Sequence, residues 1–346
     1  MKTSMMVIVG LTVATIIGAI FLTLTFVNNS SLDYSSLPKK TSFSITEYKI
    51  PDLTSSPLFP VYDNMRHVIW VGDTRNNSSR IWEFDIIKHE FVEHKLDSVR
   101  YVTVITLDSD GNLWYIDPAS RFLGHYNPNN QTNKIIKIPS NGTLTSIVLD
   151  PAGNVWISGT SSDVFLKYYV HNATFLEIPT PTPHASPLGM AKDKSGTIWV
   201  AEAIGALARV DPTLNKITEY HPHDIKLKIP VATQLDPGDA IVYITEHGED
   251  ALFSFDTKSE NFVRHALHHD PQALPYGMAF DKHGNLWVAE HTVNKVAVFV
   301  PSTGYSTEIQ IPSPNPLTQW LAADEEGRIW LAEPGGAAIG VINETN

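Results

Sequence analysis

From about residue 42 onward, the chain is a series of short segments in which apolar and polar positions alternate, each bounded by turn-forming residues. A period of two is typical of β-strands with one buried face. One aromatic residue recurs in every unit, at successive intervals of 44, 42, 43, 44, 44 and 43 residues. The recurring aromatics are Trp70, Trp114, Trp156, Trp199, Tyr243, Trp287 and Trp330. A repeat of about 40–45 residues is typical of propeller blades.

Each unit is predicted to contain four strands, designated A to D in chain order. In the sixth unit, strand A covers residues 276–281, strand B 285–290, strand C 294–300 and strand D 305–311. The aromatic lies on strand B after a short turn that contains aspartate, as in FDKHGNLW and LDPAGNVW. The pattern predicts an all-β, seven-bladed β-propeller over residues 42–346.

The seventh unit begins near Thr318 and the chain ends after its strand C. A segment at the other end of the repeat region, SITEYKIP (44–51), matches the strand D segments KITEYHPH (216–223) and YSTEIQIP (305–312). We therefore expect the N-terminal strand to close the last blade, which removes exposed sheet edges.

The N-terminal segment carries a second pattern. Residues 7–27 contain no charge over 21 positions, which is long enough to span a bilayer. Residues 1–27 are predicted to be a signal anchor or transmembrane helix, residues 28–41 a polar stalk, and the propeller extracytoplasmic at the cell membrane; cleavage of the anchor is the alternative. Sequons agree with export and glycosylation, at Asn28, Asn29, Asn76, Asn77, Asn130, Asn141, Asn172 and Asn343.

Composition restricts the possible partners. The formal net charge is −12, which disfavours nucleic acid and favours cations. The absence of cysteine excludes disulfides, thiolate metal sites and cysteine nucleophiles. No phosphate-binding loop or dinucleotide fingerprint occurs, so no organic cofactor is expected.

Three residues after each strand B aromatic, the side chain is acidic in six of seven units. The positions are Asp73, Asp117, Gly159, Glu202, Glu246, Glu290 and Glu333. If these carboxylates ring the mouth of the channel, they could bind Mg²⁺ or another divalent metal. A residue repeated in nearly every blade also suits a structural role, such as accepting backbone N–H bonds in the loop after strand B.

Histidines form a less symmetric set, and seven of the fourteen map to the same face on blades four to six. His247 and His291 directly follow an acidic strand B position, and the others lie in or beside D–A connections: His184, His221, His223, His268 and His269. Imidazoles among carboxylates can ligate transition metals or act as general bases. Solvated loops also tolerate histidines without any function.

The segments PLGMAKDKSGTIWVAE (187–202) and PYGMAFDKHGNLWVAEHTVNKVAVFVPSTG (275–304) resemble the blade motif of the streptogramin B lyase (virginiamycin B lyase) family, and more loosely NHL and gluconolactonase-like propellers. The resemblance implies a magnesium-dependent eliminase that opens a cyclic depsipeptide at its ester linkage. It also implies a histidine base at the start of strand A, where this chain carries Leu188, Tyr276 and Gln319, and a metal ligand at Glu333.

Three functions follow as hypotheses, of which a binding module for a small molecule or a cell-surface protein is preferred. The second is a metal-dependent lyase or a lactone or ester hydrolase, and the third is a structural component of a surface assembly. The predicted catalytic residues are His247, His291 and Tyr276; the predicted metal ligands are Glu202, Glu246, Glu290 and Glu333; the predicted ligand-binding residues are His221, His223, His268, His269, Gln319 and Trp320.

Overall fold

A computed structural model describes residues 42–139, 142–160, 163–267 and 272–345. The predicted anchor (1–27) and stalk (28–41) lie outside these residues and stay predictions. Within the described ranges, no helix has the length and apolar character needed to cross a membrane.

The described residues form 28 strands in seven four-stranded antiparallel sheets, which confirms the predicted seven-bladed propeller. Blade 1 contains β2 (Pro57–Asp63), β3 (Val68–Asp73), β4 (Arg80–Asp85) and β5 (Glu90–Lys95). Blade 2 contains β6 (Ile105–Leu107), β7 (Leu113–Asp117), β8 (Phe122–Asn127) and β9 (Thr132–Lys137). Blade 3 contains β10 (Thr143–Leu149), β11 (Val155–Thr160), β12 (Val164–Tyr169) and β13 (Thr174–Pro179).

The remaining blades follow the same order. Blade 4 contains β14 (Pro187–Lys192), β15 (Ile198–Glu202), β16 (Ala206–Asp211) and β17 (Lys216–Tyr220). Blade 5 contains β18 (Pro230–Leu235), β19 (Ile241–Glu246), β20 (Ala251–Asp256) and β21 (Phe262–His265). Blade 6 contains β22 (Pro275–Phe280), β23 (Leu286–Glu290), β24 (Lys295–Val300) and β25 (Tyr305–Gln310). Blade 7 contains β26 (Leu321–Ala323), β27 (Ile329–Glu333), β28 (Ala338–Thr345) and the N-terminal β1 (Ser42–Lys49).

The N-terminal strand closes the ring as predicted. The sheet order β1-β28-β27-β26 places β1 as the outer strand of blade 7. Tyr48 contacts Trp330 of the same blade, and the Phe43 ring packs edge-on against Trp287 of blade 6, with ring centroids 4.9 Å apart. The ring is complete because the A strands of all neighbouring blades contact one another, including β2 with β26.

The turns between strands A and B explain why the sequence repeats an aspartate before each tryptophan. In blade 7, Asp324 accepts hydrogen bonds from the backbone N–H groups of Glu326 and Arg328 and, at 2.9 Å, from the indole Nε1 of Trp330. The same carboxylate–indole contact occurs in four further blades, for the pairs Asp63–Trp70, Asp150–Trp156, Asp193–Trp199 and Asp281–Trp287. These aromatics are buried between blades, so the repeat encodes the core rather than a functional site.

Candidate ligand-binding site at the channel mouth

The D–A connections and the loops after strand B lie at the same end of the blades, and this end is called the mouth. Backbone hydrogen bonds join the two kinds of loop within a blade. The N–H of His247 donates to the carbonyl of Ile229 at 3.0 Å, and the N–H of Ala203 donates to Ser186 at 3.1 Å. The loops therefore support one another, and the side chains that follow strand B are held beside the beginning of strand A.

One group of aromatic and imidazole side chains comes together at the mouth of blades 5, 6, 7 and 1. The ring of Tyr276 lies edge-on to His247, to His291 and to Trp320, with centroid separations of 5.1, 6.3 and 5.2 Å. The Trp320 ring also contacts the Phe59 ring of blade 1, with ring centroids 4.5 Å apart. This group is called the mouth cluster and consists of Phe59, His247, His291, Tyr276, Gln319 and Trp320.

The backbone around Tyr276 is fixed by both neighbouring blades. The buried Thr245 hydroxyl of blade 5 donates to the Tyr276 carbonyl at 2.8 Å, and the N–H of Gly277 donates to the Gln319 carbonyl of blade 7 at 2.7 Å. A Cβ at Gly277 would lie 2.6 Å from that carbonyl oxygen and 2.7 Å from the Trp320 ring. Glycine is therefore required at this position for the close approach of the two A strands.

The two imidazoles of the mouth cluster have unsatisfied nitrogens. Within the described part of the chain, His247 Nε2 and His291 Nδ1 are buried without a hydrogen-bond partner, and His291 Nε2 lies 3.5 Å from the Gln319 amide nitrogen. Burial lowers the pKa of His247, so its imidazole is neutral at pH 7. Burial also raises the pKa of Tyr276, which keeps the phenol protonated and able to donate.

The acidic positions after strand B divide into two groups. In the first, the carboxylate accepts backbone N–H groups: Glu246 accepts from Lys228, Ile229 and Gly248 on one oxygen and from Glu249 on the other. Asp73 and Asp117 likewise accept backbone N–H groups of the adjacent loops. These contacts match the structural role that a repeated residue suggests.

In the second group, burial has the largest effect on the pKa of the carboxyl. Glu202 and Glu333 are fully buried, and none of their carboxylate oxygens has a hydrogen-bond partner among the residues that the structure describes. Burial, reinforced by the charge of Glu219, raises the pKa of Glu202 to about 8. Burial, reinforced by the charge of Glu47, raises the pKa of Glu333 to about 7.

The four predicted metal ligands do not share one site. Glu202, Glu246, Glu290 and Glu333 each belong to a different blade and are buried within it. In the part of the chain that the structure describes, no group of three or more His, Asp or Glu side chains is arranged to hold one metal ion. The divalent metal at the mouth stays a prediction.

The remaining predicted ligand-binding histidines lie on the mouth rim or outside the described residues. His221 and His223 are exposed in the connection between β17 and β18, where His221 Nε2 lies 3.7 Å from a Glu219 carboxylate oxygen. His268 and His269 lie outside the described residues.

Sequence reasoning missed Phe59 and Thr245, which support the cluster from blades 1 and 5. Phe59 follows no repeated pattern, and its contact with Trp320 arises only when the ring closes. A signal for Thr245 was present, because Ser158 occupies the same position two residues after the strand B aromatic. The Ser158 hydroxyl donates to the Leu188 carbonyl of the next blade in the same way.

Comparison with known proteins gives a family and a fold. The family model described as "Virginiamycin B lyase family" matches residues 89–346. Among curated protein sequences, none matches the chain.

Solved structures share the fold at low identity. A streptogramin B lyase structure aligns with TM-score 0.78 and 17% identity, covering 88% of this chain and 98% of that one. A catalytically inactive histidine-to-alanine variant of virginiamycin B lyase from Staphylococcus aureus, with quinupristin, aligns with TM-score 0.78 and 18% identity, covering 87% and 99%. Hydrazine synthase from Kuenenia stuttgartiensis aligns with TM-score 0.69 and 12% identity, covering 85% and 96%.

Proposed function

The chain belongs to the virginiamycin B lyase family, and we propose that it binds a compact small molecule at the mouth cluster. The observation that carries this proposal is the pair of buried imidazole nitrogens, His247 Nε2 and His291 Nδ1, which have no partner in the ranges that the structure describes and lie beside the aromatic ring of Tyr276. Buried polar atoms without partners are rare in folded proteins, and a bound ligand is one way in which they become satisfied.

The cluster also indicates the chemistry of the ligand. A buried unpaired polar atom costs about 1–3 kcal/mol, which a ligand hydrogen bond would recover. The His247 ring lies against the Pro275 carbonyl, which favours a proton on the nitrogen that faces it and leaves Nε2 as an acceptor. We therefore expect a ligand with a hydroxyl or amide donor next to an aromatic or apolar ring that packs on Tyr276 and Trp320.

Calorimetric titration tests this binding. Quinupristin, aromatic lactones and cyclic esters are titrated into the wild-type protein, the Tyr276→Ala variant and the His283→Ala variant. His283 is exposed in the A–B turn of blade 6 and serves as the matched control. We expect binding by wild type and His283→Ala that weakens at least about 10-fold in Tyr276→Ala. Absence of binding by the whole set, or binding unchanged by Tyr276→Ala, would contradict the proposal.

A second candidate function is opening of an ester in the bound ligand. The observation that favours it is the His247 Nε2, which has no partner among the described residues, and burial lowers the pKa of this imidazole toward the neutral form that a general base requires. Mass spectrometry of quinupristin after incubation distinguishes the outcomes. Hydrolysis adds the mass of one water, elimination leaves the mass unchanged but alters the chromatographic retention, and an unaltered compound with confirmed binding identifies a binding module.

The location of the propeller is a further part of the proposal. The uncharged segment 7–27 would anchor the protein, with the propeller on the extracytoplasmic side of the cell membrane. Membrane fractionation with protease added to intact cells tests this arrangement. Recovery of the propeller in the membrane fraction, accessible to external protease, is expected; a protected or cytosolic propeller would contradict it.

A further inference from the structure

In blades 1, 4, 6 and 7, the end of strand B and the middle of strand D each contribute an acidic side chain, and the pair is neutralised differently from blade to blade. In blade 1, Asp73 at the end of β3 and Glu93 on β5 both bind Arg80, the first residue of strand C. The Arg80 guanidinium lies 2.7 Å from Asp73 and 3.0 Å from Glu93. A built-in cation therefore joins the two acidic strands.

Blade 6 repeats this arrangement with lysine. Lys295 begins strand C directly opposite Glu290, and its ammonium group forms an ion pair with Glu308 of strand D. The side chains of Glu290, Lys295 and Glu308 lie on one face of the sheet, because Ala297 is opposite Glu308 and two residues from Lys295. The position between the acidic residues is again occupied by a cation.

In blade 4 the two acids remain, but the cation is missing. Glu202 ends β15 opposite Ala206, and Glu219 on β17 is opposite Ala208, so both carboxyls lie on the same face. Ala206 is fully buried and has neither the length nor the charge of Arg80. The charges that act on Glu202 are those of Glu219 and Asp163, and both are negative.

Among the described residues, no hydrogen-bond donor or cation binds the carboxyl of Glu202, and the group that acts on it most strongly is the second carboxyl, Glu219. Both of its oxygens are buried without a hydrogen bond, and the side chain is fully buried. The Glu219 carboxylate is held in place by Thr182, whose N–H donates at 3.0 Å and whose hydroxyl also donates. Two carboxyls can only face each other stably when a proton or a cation lies between them.

Blade 7 provides the contrast. Glu333 lies opposite Ala338, and Glu47 accepts hydrogen bonds from the N–H and hydroxyl of Ser313. Here Lys49 lies 3.6 Å from Glu47 and supplies positive charge from strand D. In blade 4, the residue that corresponds to Lys49 is the half-exposed His221, which follows Glu219 by two residues as Lys49 follows Glu47. Blade 4 therefore differs from blades 1, 6 and 7, because among the residues that the structure describes no lysine or arginine acts on its buried glutamate.

We propose that Glu202 and Glu219 bind a hard divalent metal cation within blade 4, at the place that Arg80 and Lys295 fill in blades 1 and 6. Carboxylate oxygens are the ligands that Mg²⁺ and Ca²⁺ prefer, and two carboxylates neutralise one divalent charge. This site lies within one blade and is independent of the mouth cluster. The cation would join strands B and D, as the guanidinium does in blade 1.

Calorimetry of the full chain tests the site. After treatment with a chelator, CaCl₂ and MgCl₂ are titrated separately at about pH 8 into the wild type, Ala206→Lys and Glu47→Gln variants. Ala206→Lys supplies the ammonium that blade 6 has and keeps both carboxyls, whereas Glu47→Gln changes only blade 7. We expect one cation to bind the wild type and Glu47→Gln alike, and to bind Ala206→Lys at least about 100-fold more weakly.

Thermal unfolding provides the second readout. The cation should raise the Tm of the wild type, and Ala206→Lys in chelator should match or exceed the Tm of the metal-free wild type. Two results would overturn the proposal: no heat and no change in Tm with either cation, or cation binding that persists unchanged in Ala206→Lys. If neither cation gives heat or a change in Tm, and the Tm of the metal-free protein depends only on pH, then a proton shared by Glu202 and Glu219 occupies the position between them.

Discussion

The two ends of each blade use the same repeated sequence differently. At the end that carries the A–B turns, one contact recurs, in which an aspartate accepts the turn amides and the indole N–H of the strand B tryptophan. At the mouth, the side chains differ from blade to blade, and blades 5, 6, 7 and 1 bring imidazoles and aromatics together. Repeated residues therefore stabilise the ring, whereas the candidate site is formed where the repeat departs from its pattern.

Removal of a turn aspartate gives the largest expected loss of stability. Asp324→Ala leaves the Trp330 indole N–H and two backbone amides without an acceptor, so we expect a loss of about 3 kcal/mol in the free energy of unfolding. Asp110→Ala, at an exposed position of the blade 2 turn, should cost less than about 0.5 kcal/mol. Chemical denaturation measures both. Equal losses for the two variants would show that the carboxylate–indole contact does not stabilise the blade.

A methyl group at the blade junction should distinguish the mouth from the rest of the ring. Gly277→Ala and Gly189→Ala both place a Cβ within 2.7 Å of a carbonyl oxygen of the next blade, so each should cost about 1–3 kcal/mol. Only Gly277→Ala also displaces Trp320, so only this variant should lose binding at the mouth cluster. Denaturation and calorimetric titration with quinupristin give the two readouts. Equal loss of binding in both variants would place the site outside the mouth cluster.

Glu246 tests whether a repeated acid at the mouth is structural. Glu246→Gln replaces one acceptor oxygen by a donor where the carboxylate accepts four backbone N–H groups, so we expect a loss of about 1–2 kcal/mol. Ligand affinity at the mouth cluster should not change. A bound metal that is lost in Glu246→Gln would instead support the predicted metal site at this residue.

The smallest effect concerns pH. Because burial lowers the pKa of His247 in the folded state, the unfolded chain takes up a proton first as the pH falls below about 6.5, and stability is lost. Above about pH 6.5, His247 is neutral in both the folded and the unfolded chain, so it does not make stability depend on pH. His247→Gln should therefore flatten the fall in stability between about pH 7 and pH 5, whereas His283→Gln should not. Denaturation at several pH values measures the slopes, and identical slopes for His247→Gln and wild type would contradict the burial of a neutral imidazole.

The fold was predictable because its determinants are local and repeated. The spacing of the aromatics located strand B in every blade, and the similarity of 44–51 to 216–223 located the strand that closes the ring. The strand bounds of blade 6 differ from those predicted by at most one residue at each end. Each of these features depends on contacts within one blade or between neighbours.

The candidate site was predictable only in part. His247, His291, Tyr276, Gln319 and Trp320 were identified from sequence, and the structure brings all five together. The direction of the carboxylates was not predictable, because the same position after strand B binds backbone amides in Glu246 and faces a second acid in Glu202. That difference depends on the residue across the strand pair and on the conformation of the adjoining loop, and the position in the repeat reveals neither.

Nitrogen NMR of the histidine side chains shows whether a ligand binds at the buried imidazoles of the mouth cluster. Protein labelled with ¹⁵N-histidine is observed with and without quinupristin, and His247→Gln identifies the resonances of that ring. We expect a neutral His247 at pH 7 whose Nε2 resonance shifts when the ligand donates a hydrogen bond to it. A protonated His247 in the free protein, or an Nε2 resonance that does not move when the ligand is shown to bind, would contradict a ligand site at the mouth cluster.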